Sequence, residues 1–408
     1  MLIILVPVIF GFMGFAVDLG RLYMIRHELK SAANAIALAA AEKLNGSDAA
    51  ASDATIAAQT AQLASAGIQN RFDYGSIPLG QTEGRTTSTV ADPEFFDTVA
   101  GATGGDGGAV GSGSPKHVRI TITAQAPLLF WRFLSLAAEG TTQVSVQSVA
   151  GQSAPLCTAC NIETMAIAAL DSGDTADYGF VAGTRYTLGF VCNGANQPGP
   201  LAGSTQRIPY LMINRMNADA TIFTGDDTQA YRIGAAGLPS SSSEAVSCVK
   251  VDAVETIWQT AAPLACPLPA NPGTVPAPVR AMLCGMTNRF EAGVFSGCEA
   301  VAESDTVSNT VTPDTDTTDL ADLASYTGNG RRILNIAVVD SLADSTALTV
   351  LGFRQFIVEP VTGNTNLNPT DQNGRFDVLY VGSVAPIRQG RFSGCSVASG
   401  PGKVVLHQ

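Results

Sequence analysis

The first 17 residues carry no charge, and this run constrains the fold of the chain more than any other feature. They read MLIILVPVIFGFMGFAV and are followed by Asp18, Arg21, Arg26 and Lys30. At about 1.5 Å per residue, a helix of this length spans roughly 25 Å, just short of the hydrocarbon core of a bilayer. No later stretch is as long and as apolar. We therefore predict a single membrane helix that precedes a large polar body.

A heptad pattern begins in this run and continues past it. One series of positions is Met1, Val8, Phe15, Leu22, Leu29 and Ile36, and its companion is Ile4, Gly11, Asp18, Ile25, Ala32 and Ala39. This seam predicts one helix from about residue 2 to 44, ended by Asn45-Gly46. The helix packs either on its own domain or against copies or relatives of itself. In the second case the residues predicted to carry helix packing and assembly are Phe15, Asp18, Arg21, Leu22, Ile25, Leu29 and Ile36.

Asp18 is the one acidic residue on the seam. A carboxylate there is costly unless it is paired or lies at the water boundary. Arg21 lies one turn further on, within reach of Asp18. Asp18 either marks the membrane interface or sets the register between neighbouring helices, as a buried polar group can.

The basic residues all follow the apolar run, which bears on orientation. Under the positive-inside rule alone, the body would remain in the cytoplasm. Eight cysteines in the body favour an oxidising compartment instead. We expect a basic leader upstream of Met1, which would restore both the span length and the inside charge. The alternative is a cytoplasmic protein held by an N-terminal anchor.

Residues 7–41 resemble the N-terminus of TadG-like proteins of Tad/Flp pilus assembly. In that family an apolar segment ends in A-V-D-L-G-R-L-Y, which stands here at 16–23. An Ala-rich second helix, a strand, an aromatic segment and another strand follow in the family, and 47–67, 118–134 and 142–151 have that order. The likeness covers residues 1–150 and is faint at two later segments, RRILNIAVVD and TVLGFRQFIVEP, which look like paired late strands.

The resemblance implies a type IV pilin-related protein that is made with a leader, is held in the inner membrane and faces outward. It implies pilus or secretion-system components as partners. Two features depart from the family. Leu5 stands where pilins carry a carboxylate, and neither Asp340-Ser341-Leu342 nor Asp344-Ser345-Thr346 fits the D-x-S-x-S metal motif of some relatives. We therefore do not expect this chain to contain the metal-dependent adhesive domain of those relatives.

The pattern of the remaining sequence predicts an α+β fold, in which a mainly antiparallel β body follows the long helix. Residues 47–70 read as a short helix, and alternation at Val118, Ile120 and Ile122 predicts a half-buried strand. From 151 onward, short apolar runs alternate with Gly, Pro, Asn and Asp clusters, apart from a helical insert at 275–290. We predict three domains: a stem at 1–45, a small α+β segment at 46–150 and a Cys-containing β domain at 151–408.

The cysteine count is even, which outside the cytoplasm favours disulfides. Cys266 and Cys284 flank the helical insert and are the single predicted pair. Cys157 and Cys160 form an isolated CxxC, which is weak support for zinc because no second CxxC or His pair accompanies it. The disulfide candidates are Cys157, Cys160, Cys192, Cys248, Cys266, Cys284, Cys298 and Cys395.

Signatures of catalysis are missing from the sequence, and we expect no enzymatic activity and no cofactor. The chain has no G-x-S-x-G, H-E-x-x-H or P-loop pattern, and His117 is the only histidine suited to a triad in the body. Two acidic loops bring several Asp residues together, and the second, DQNGRFD, has partial calcium-loop spacing; neither has the closing Glu. The weak calcium candidates in them are Asp314, Asp316, Asp319, Asp371, Asn373 and Asp377.

Three hypotheses for function remain open at this point. The leading one is a non-enzymatic pilus-related structural or assembly protein of the bacterial cell envelope, anchored or bundled by its helix with the body displayed outside. The second is the main subunit of an extracellular pilus-like filament, and the third is a membrane-tethered adhesin or carbohydrate-binding protein. The net charge of -12 excludes a nucleic-acid partner, because nothing could neutralise a run of phosphates.

Overall fold

In a computed structural model of the chain, the described residues fall into two compact units. The first unit contains residues 1–153 and 404–408, and the second contains 154–403. The C-terminal segment therefore belongs to the same unit as the N-terminal helix. The structure describes residues 2–44, 50–65, 88–104, 115–128, 130, 141–174, 176–190, 199–216, 222–223, 228–237, 248–254, 256, 275–293, 295–299, 312–321, 325–342, 347–360, 367–383, 387, 390–392 and 402–407.

The first unit begins with two helices, α1 (Leu2–Ala41) and α2 (Ala50–Ser65). Helix α1 ends at Ala41, three residues before the predicted end at residue 44. Residues 42–44 tighten into a turn, in which the amide of Lys43 donates to the carbonyl of Ala40 (3.0 Å). Helix α2 packs small residues, Ala54 and Ala58, into the same hydrophobic cluster as α1. Within the described residues, no helix is both long and apolar enough to cross a membrane, and the predicted membrane helix is not confirmed.

The sheet of the first unit packs its apolar face on these helices. Its strands are β1 (Ser88–Val90), β2 (Glu94–Phe96), β3 (His117–Pro127), β4 (Thr141–Gln152) and β17 (Val404–His407), and a short helix α3 (Val99–Thr103) lies between β2 and β3. They run in the order β1-β3-β4-β17, with β2 also paired to β3. The predicted alternation is confirmed, because Val118, Ile120 and Ile122 are all buried. The sequence did not predict that the last strand, β17, completes this sheet.

The second unit is built on a sheet whose pairing closes on itself. Its strands are β6 (Met165–Ala168), β7 (Arg185–Phe190), β8 (Arg207–Met212), β13 (Ile333–Val339), β14 (Leu348–Val358) and β15 (Phe376–Ser383), and β12 (Ala253–Val254) is added beside β14. Around the ring the order is β14, β13, β6, β8, β7 and β15, and β15 pairs again with β14. Most of these pairings are antiparallel, and those of β6 with β13 and of β7 with β8 are parallel.

Alternate residues of this ring form the main core of the second unit. Ile336, Phe356 and Tyr380 lie in that core, together with residues from two helices, α4 (Thr228–Ala235) and α5 (Ala277–Thr287). Helix α5 confirms the predicted insert at 275–290, and β13 and β14 confirm the predicted late strand pair. A smaller sheet in the order β10-β9-β11-β5-β16 contains β5 (Thr158–Cys160), β9 (Arg215–Met216), β10 (Ile222–Phe223), β11 (Cys248–Lys250) and β16 (Gly390–Arg391).

Disulfides link neighbouring elements of the second unit. Cys160 of β5 pairs with Cys248, the residue directly opposite it on β11, and Cys284 of α5 pairs with Cys298. The predicted Cys266–Cys284 pair is therefore wrong: Cys284 faces a cysteine 14 residues further on instead. Cys157 is also disulfide-bonded. Cys192, Cys266 and Cys395 lie outside the described residues.

Candidate functional site

Helix α1 has two halves with opposite surroundings. In residues 9–24, which we name the proximal stem, most of the large apolar side chains point away from the rest of the unit. Nine of them are 48–74% exposed: Ile9, Phe10, Phe12, Met13, Phe15, Val17, Leu19, Tyr23 and Met24. In residues 25–41, the distal stem, the seam positions Ile25, Leu29 and Ile36 are at most 2% exposed. Only the proximal stem offers an apolar surface to a partner.

The exposed side chains cover most of the circumference of the proximal stem. Between residues 9 and 20, only Gly14 and Asp18 are buried, and they lie on one face. A helix with so wide an apolar surface is normally covered by lipid or by other helices. The predicted assembly residue Phe15 belongs to this exposed set, at 50% exposure.

The two buried positions mark where the chain returns to the helix after β3. Asp18 Oδ2 accepts a hydrogen bond from the backbone amide of Phe130 (3.0 Å), and Arg21 Nη1 donates to the carbonyl of Pro127 (3.2 Å). A Cβ on Gly14 would lie 2.7 Å from the Cβ of Phe130. Positions 14, 18 and 21 lie on one helix face, because they are separated by four and three residues. We name this set of five residues the Asp18 latch.

The latch gives Asp18 and Arg21 a contact inside the chain that sequence reasoning did not find. Both lie in the A-V-D-L-G-R-L-Y motif, and the sequence predicts that Asp18 marks the membrane interface or sets the register between helices, with Arg21 within pairing reach. The amide of Phe130 supplies the polar partner that a buried carboxylate needs. The aromatic segment predicted at 127–134 is described only at residues 127, 128 and 130.

The distal stem is held in its own unit by apolar packing and by polar bonds to β4. Ile25, Leu29 and Ile36 pack in one cluster with the apolar face of the sheet, and Leu22, near the end of the proximal stem, packs partly buried against it. The hydroxyl of Ser148 donates to Asn34 Oδ1 (2.8 Å) across that interface. Packing within the unit therefore accounts for the seam from residue 22 onward.

The first acidic loop folds around its own backbone. Asp314 Oδ2 accepts a hydrogen bond from the hydroxyl of Tyr326 (2.6 Å), and Asp316 accepts from the amides of Thr318 and Thr327 (both 3.0 Å). Burial opposes ionisation of Asp316, but these hydrogen bonds outweigh it and lower its pKa to about 2. Asp319 is exposed.

In the second acidic loop, one carboxylate forms an ion pair and another is buried in the unit. Asp371 forms an ion pair with Arg375 (3.0 Å) and caps the turn by accepting from the amide of Asn373 (2.9 Å). Asp377 is buried, accepts from the hydroxyl of Thr187 (2.6 Å), and has its pKa raised by burial. Within the described part of the chain, no three acidic, His or Cys side chains converge in a group suited to a metal ion.

Buried ion pairs in the second unit were not predicted, since no sequence pattern marks them. Glu359 lies between Arg332 (3.1 Å) and Arg185 (3.3 Å), and Glu163 pairs with Arg289 (2.6 Å). Burial raises the pKa of Glu359, and both arginines act against that rise. These ion pairs join strands and loops that are distant along the chain but belong to one unit. We therefore infer that they stabilise the fold of that unit.

Comparison with known proteins identifies one segment of the chain. Residues 1–43 match the family model of putative Flp pilus-assembly TadE/G-like proteins. The match confirms the resemblance that was argued from the A-V-D-L-G-R-L-Y motif, and it covers both the proximal and the distal stem. It supports a role in pilus-related assembly and an association with the cell envelope. No curated protein and no solved structure matches the chain.

Proposed function

We propose that this chain is a non-enzymatic structural component of a pilus-type assembly in the bacterial cell envelope. The proximal stem anchors it in the inner membrane, and the β-rich second unit is displayed outside. The observation that carries the proposal is the exposed apolar surface of residues 9–19, inside the segment that matches pilus-assembly proteins. Monomeric soluble proteins rarely leave a contiguous surface of this kind uncovered.

The division of the helix supports separate roles for its halves. Because Ile25, Leu29 and Ile36 are already buried in the first unit, the distal stem has no apolar face left for a partner. Phe10, Phe12 and Met13 are 61–72% exposed and can contact lipid or the stems of other subunits. Attachment therefore depends on the proximal stem, while the distal stem connects it rigidly to the first unit.

The main rival is a polymerised filament subunit, in which proximal stems cover one another in a common core. The wide exposed surface of residues 9–19 favours this rival as much as it favours lipid, since a stem in a bundle contacts several neighbours. Location of the protein distinguishes the two. An anchored component stays in the inner-membrane fraction, and a filament subunit is found by peptide mapping of sheared extracellular filaments.

The experiment fractionates cells that produce the full chain with and without Phe10→Ser, Phe12→Ser and Phe15→Ser together. We expect wild type in the membrane fraction and the triple variant released from it. The matched control is Ile56→Ser, which removes an exposed apolar side chain (58%) from α2 of the same unit and should leave the location unchanged. Wild-type protein that never associates with membranes or filaments would show the proposal to be wrong.

A further inference from the structure

Two histidines meet across the edge of the first sheet. His117 begins β3 opposite Gly151 of β4, and His407 ends β17 on the other side of β4. A Cβ on Gly151 would overlap the imidazole of His117, so the missing side chain lets this ring lie over β4. The two rings then contact each other edge to face, with centroids 5.1 Å apart and planes at 81°. We name His117 and His407 the histidine pair.

The strand that carries His407 is short and lies at the edge of the sheet. β17 pairs with β4 over four residues, from Val404 opposite Gln152 to His407 opposite Val149. His407 Nε2 lies 3.2 Å from the carbonyl of Gln152. Val404 and Leu406 pack partly buried against the cluster that contains the distal stem. Release of β17 would therefore open both the edge of β4 and part of that cluster.

His117 is poorly placed to accept a proton while β17 is bound. It is 5% exposed, and its Nδ1 has no hydrogen-bond partner among the described residues. Burial lowers its pKa to about 4, and the neighbouring His407 and Lys116 add to this effect. The carboxylate of Asp97, which follows β2, acts in the opposite direction.

Several charged groups lie near His117 on β2 and β3. Glu94 of β2 forms an ion pair with Arg119 of β3 (2.7 Å). Of the charges that act on His117 itself, His407 and Lys116 disfavour its protonation, and Asp97 favours it.

We propose that protonation of His117 at mildly acidic pH releases the strand β17 from the first unit. The proton comes from solvent, and no covalent change is involved. With β17 bound, an imidazolium at His117 would be poorly hydrated and would lie against the ring of His407. With β17 released, both rings are hydrated and separated. Acid therefore favours the open state, which exposes the unpaired edge of β4 to another strand.

Proton binding to His117 is linked to the release of β17, and this linkage sets the sign and size of the pH dependence. His117 binds a proton more weakly in the closed state than in the open state, so the open state gains stability as the pH falls from about 6.5 towards 4. If opening restores the ordinary pKa, the opening equilibrium at about pH 5 increases roughly thirtyfold over its value at about pH 7.5.

The test is hydrogen exchange of the full chain, read by mass spectrometry and corrected for the pH dependence of intrinsic exchange. Amides of β17, and those of residues 149–152 that bond to it, should lose protection by about thirtyfold between about pH 7.5 and pH 5. Peptides from β13 and β14 in the second unit should lose none. The variant His407→Gln removes the repulsion between the rings and should clearly reduce the loss, and His117→Leu should abolish it.

His27 provides the matched control, because it is the third histidine of the chain and is exposed on α1. The variant His27→Gln should keep the wild-type pH profile. If His117→Leu fails to fold, as judged by circular dichroism at neutral pH, His407→Gln at the partly exposed edge position still decides the question. An unchanged acid response in His407→Gln, or β17 protection that is independent of pH in wild type, would overturn the proposal.

Discussion

The two halves of α1 share one heptad pattern and differ in almost everything else. The distal stem buries its seam against α2 and the sheet, whereas the proximal stem exposes apolar side chains over most of its circumference. The latch at Asp18 lies within the proximal stem, where the segment after β3 forms a hydrogen bond with the helix. A heptad pattern shows that a helix has an apolar face, but it does not show what covers that face.

The largest effect is expected from truncating the distal stem. Ile36→Ala should lower the free energy of opening of the first unit by about 2–5 kcal/mol, because the side chain is fully buried and leaves a cavity. Hydrogen exchange of β3 amides measures this change. If the loss were below about 0.5 kcal/mol, the intramolecular packing of the seam would not stabilise the unit.

A smaller effect is expected from breaking the latch. Asp18→Ala leaves the amide of Phe130 without its acceptor and should cost about 1–3 kcal/mol, measured as faster exchange of the Phe130 amide. Asp18→Asn is the matched control, since its side-chain oxygen still accepts a hydrogen bond. Equal exchange in both variants would mean that the carboxylate is not the partner that holds this segment.

The two glycines that flank Asp18 should respond with opposite signs. Gly14→Ala places a methyl group 2.7 Å from Phe130 and should loosen the latch, at a net cost of about 1 kcal/mol. Gly20→Ala meets no atom within 4 Å and should stabilise the helix by up to about 1 kcal/mol. Thermal unfolding of the two variants side by side measures both signs. A stabilised Gly14→Ala variant would contradict the close approach of Phe130.

The smallest effect on stability is expected in the proximal stem. Phe12→Ser should change the opening free energy of the first unit by no more than about 0.5 kcal/mol, because the ring is 72% exposed. The same exchange measurement on β3 amides tests this. A loss comparable to that of Ile36→Ala would remove the distinction between the halves and show that Phe12 packs within the unit.

The sequence predicted elements well where one local pattern was enough. Alternation located β3, and the Pro- and apolar-rich run at 275–290 located α5. It failed where the partner is distant along the chain. Cys284 was matched to the wrong cysteine, and the bond between Asp18 and Phe130 spans 112 positions with no pattern that links them.

The sequence alone determined that the chain begins with a long helix with an apolar seam, that an α+β body follows, and that the motif at 16–23 is that of pilus-assembly proteins. Periodicity and composition are local properties of the sequence, so they can be recognised before the fold is known. Only the tertiary structure decided which half of the helix is covered, that the C-terminal strand joins the N-terminal unit, and that His117 and His407 meet. These depend on pairing between residues far apart, and the energy of such contacts is set by packing and burial in the folded chain.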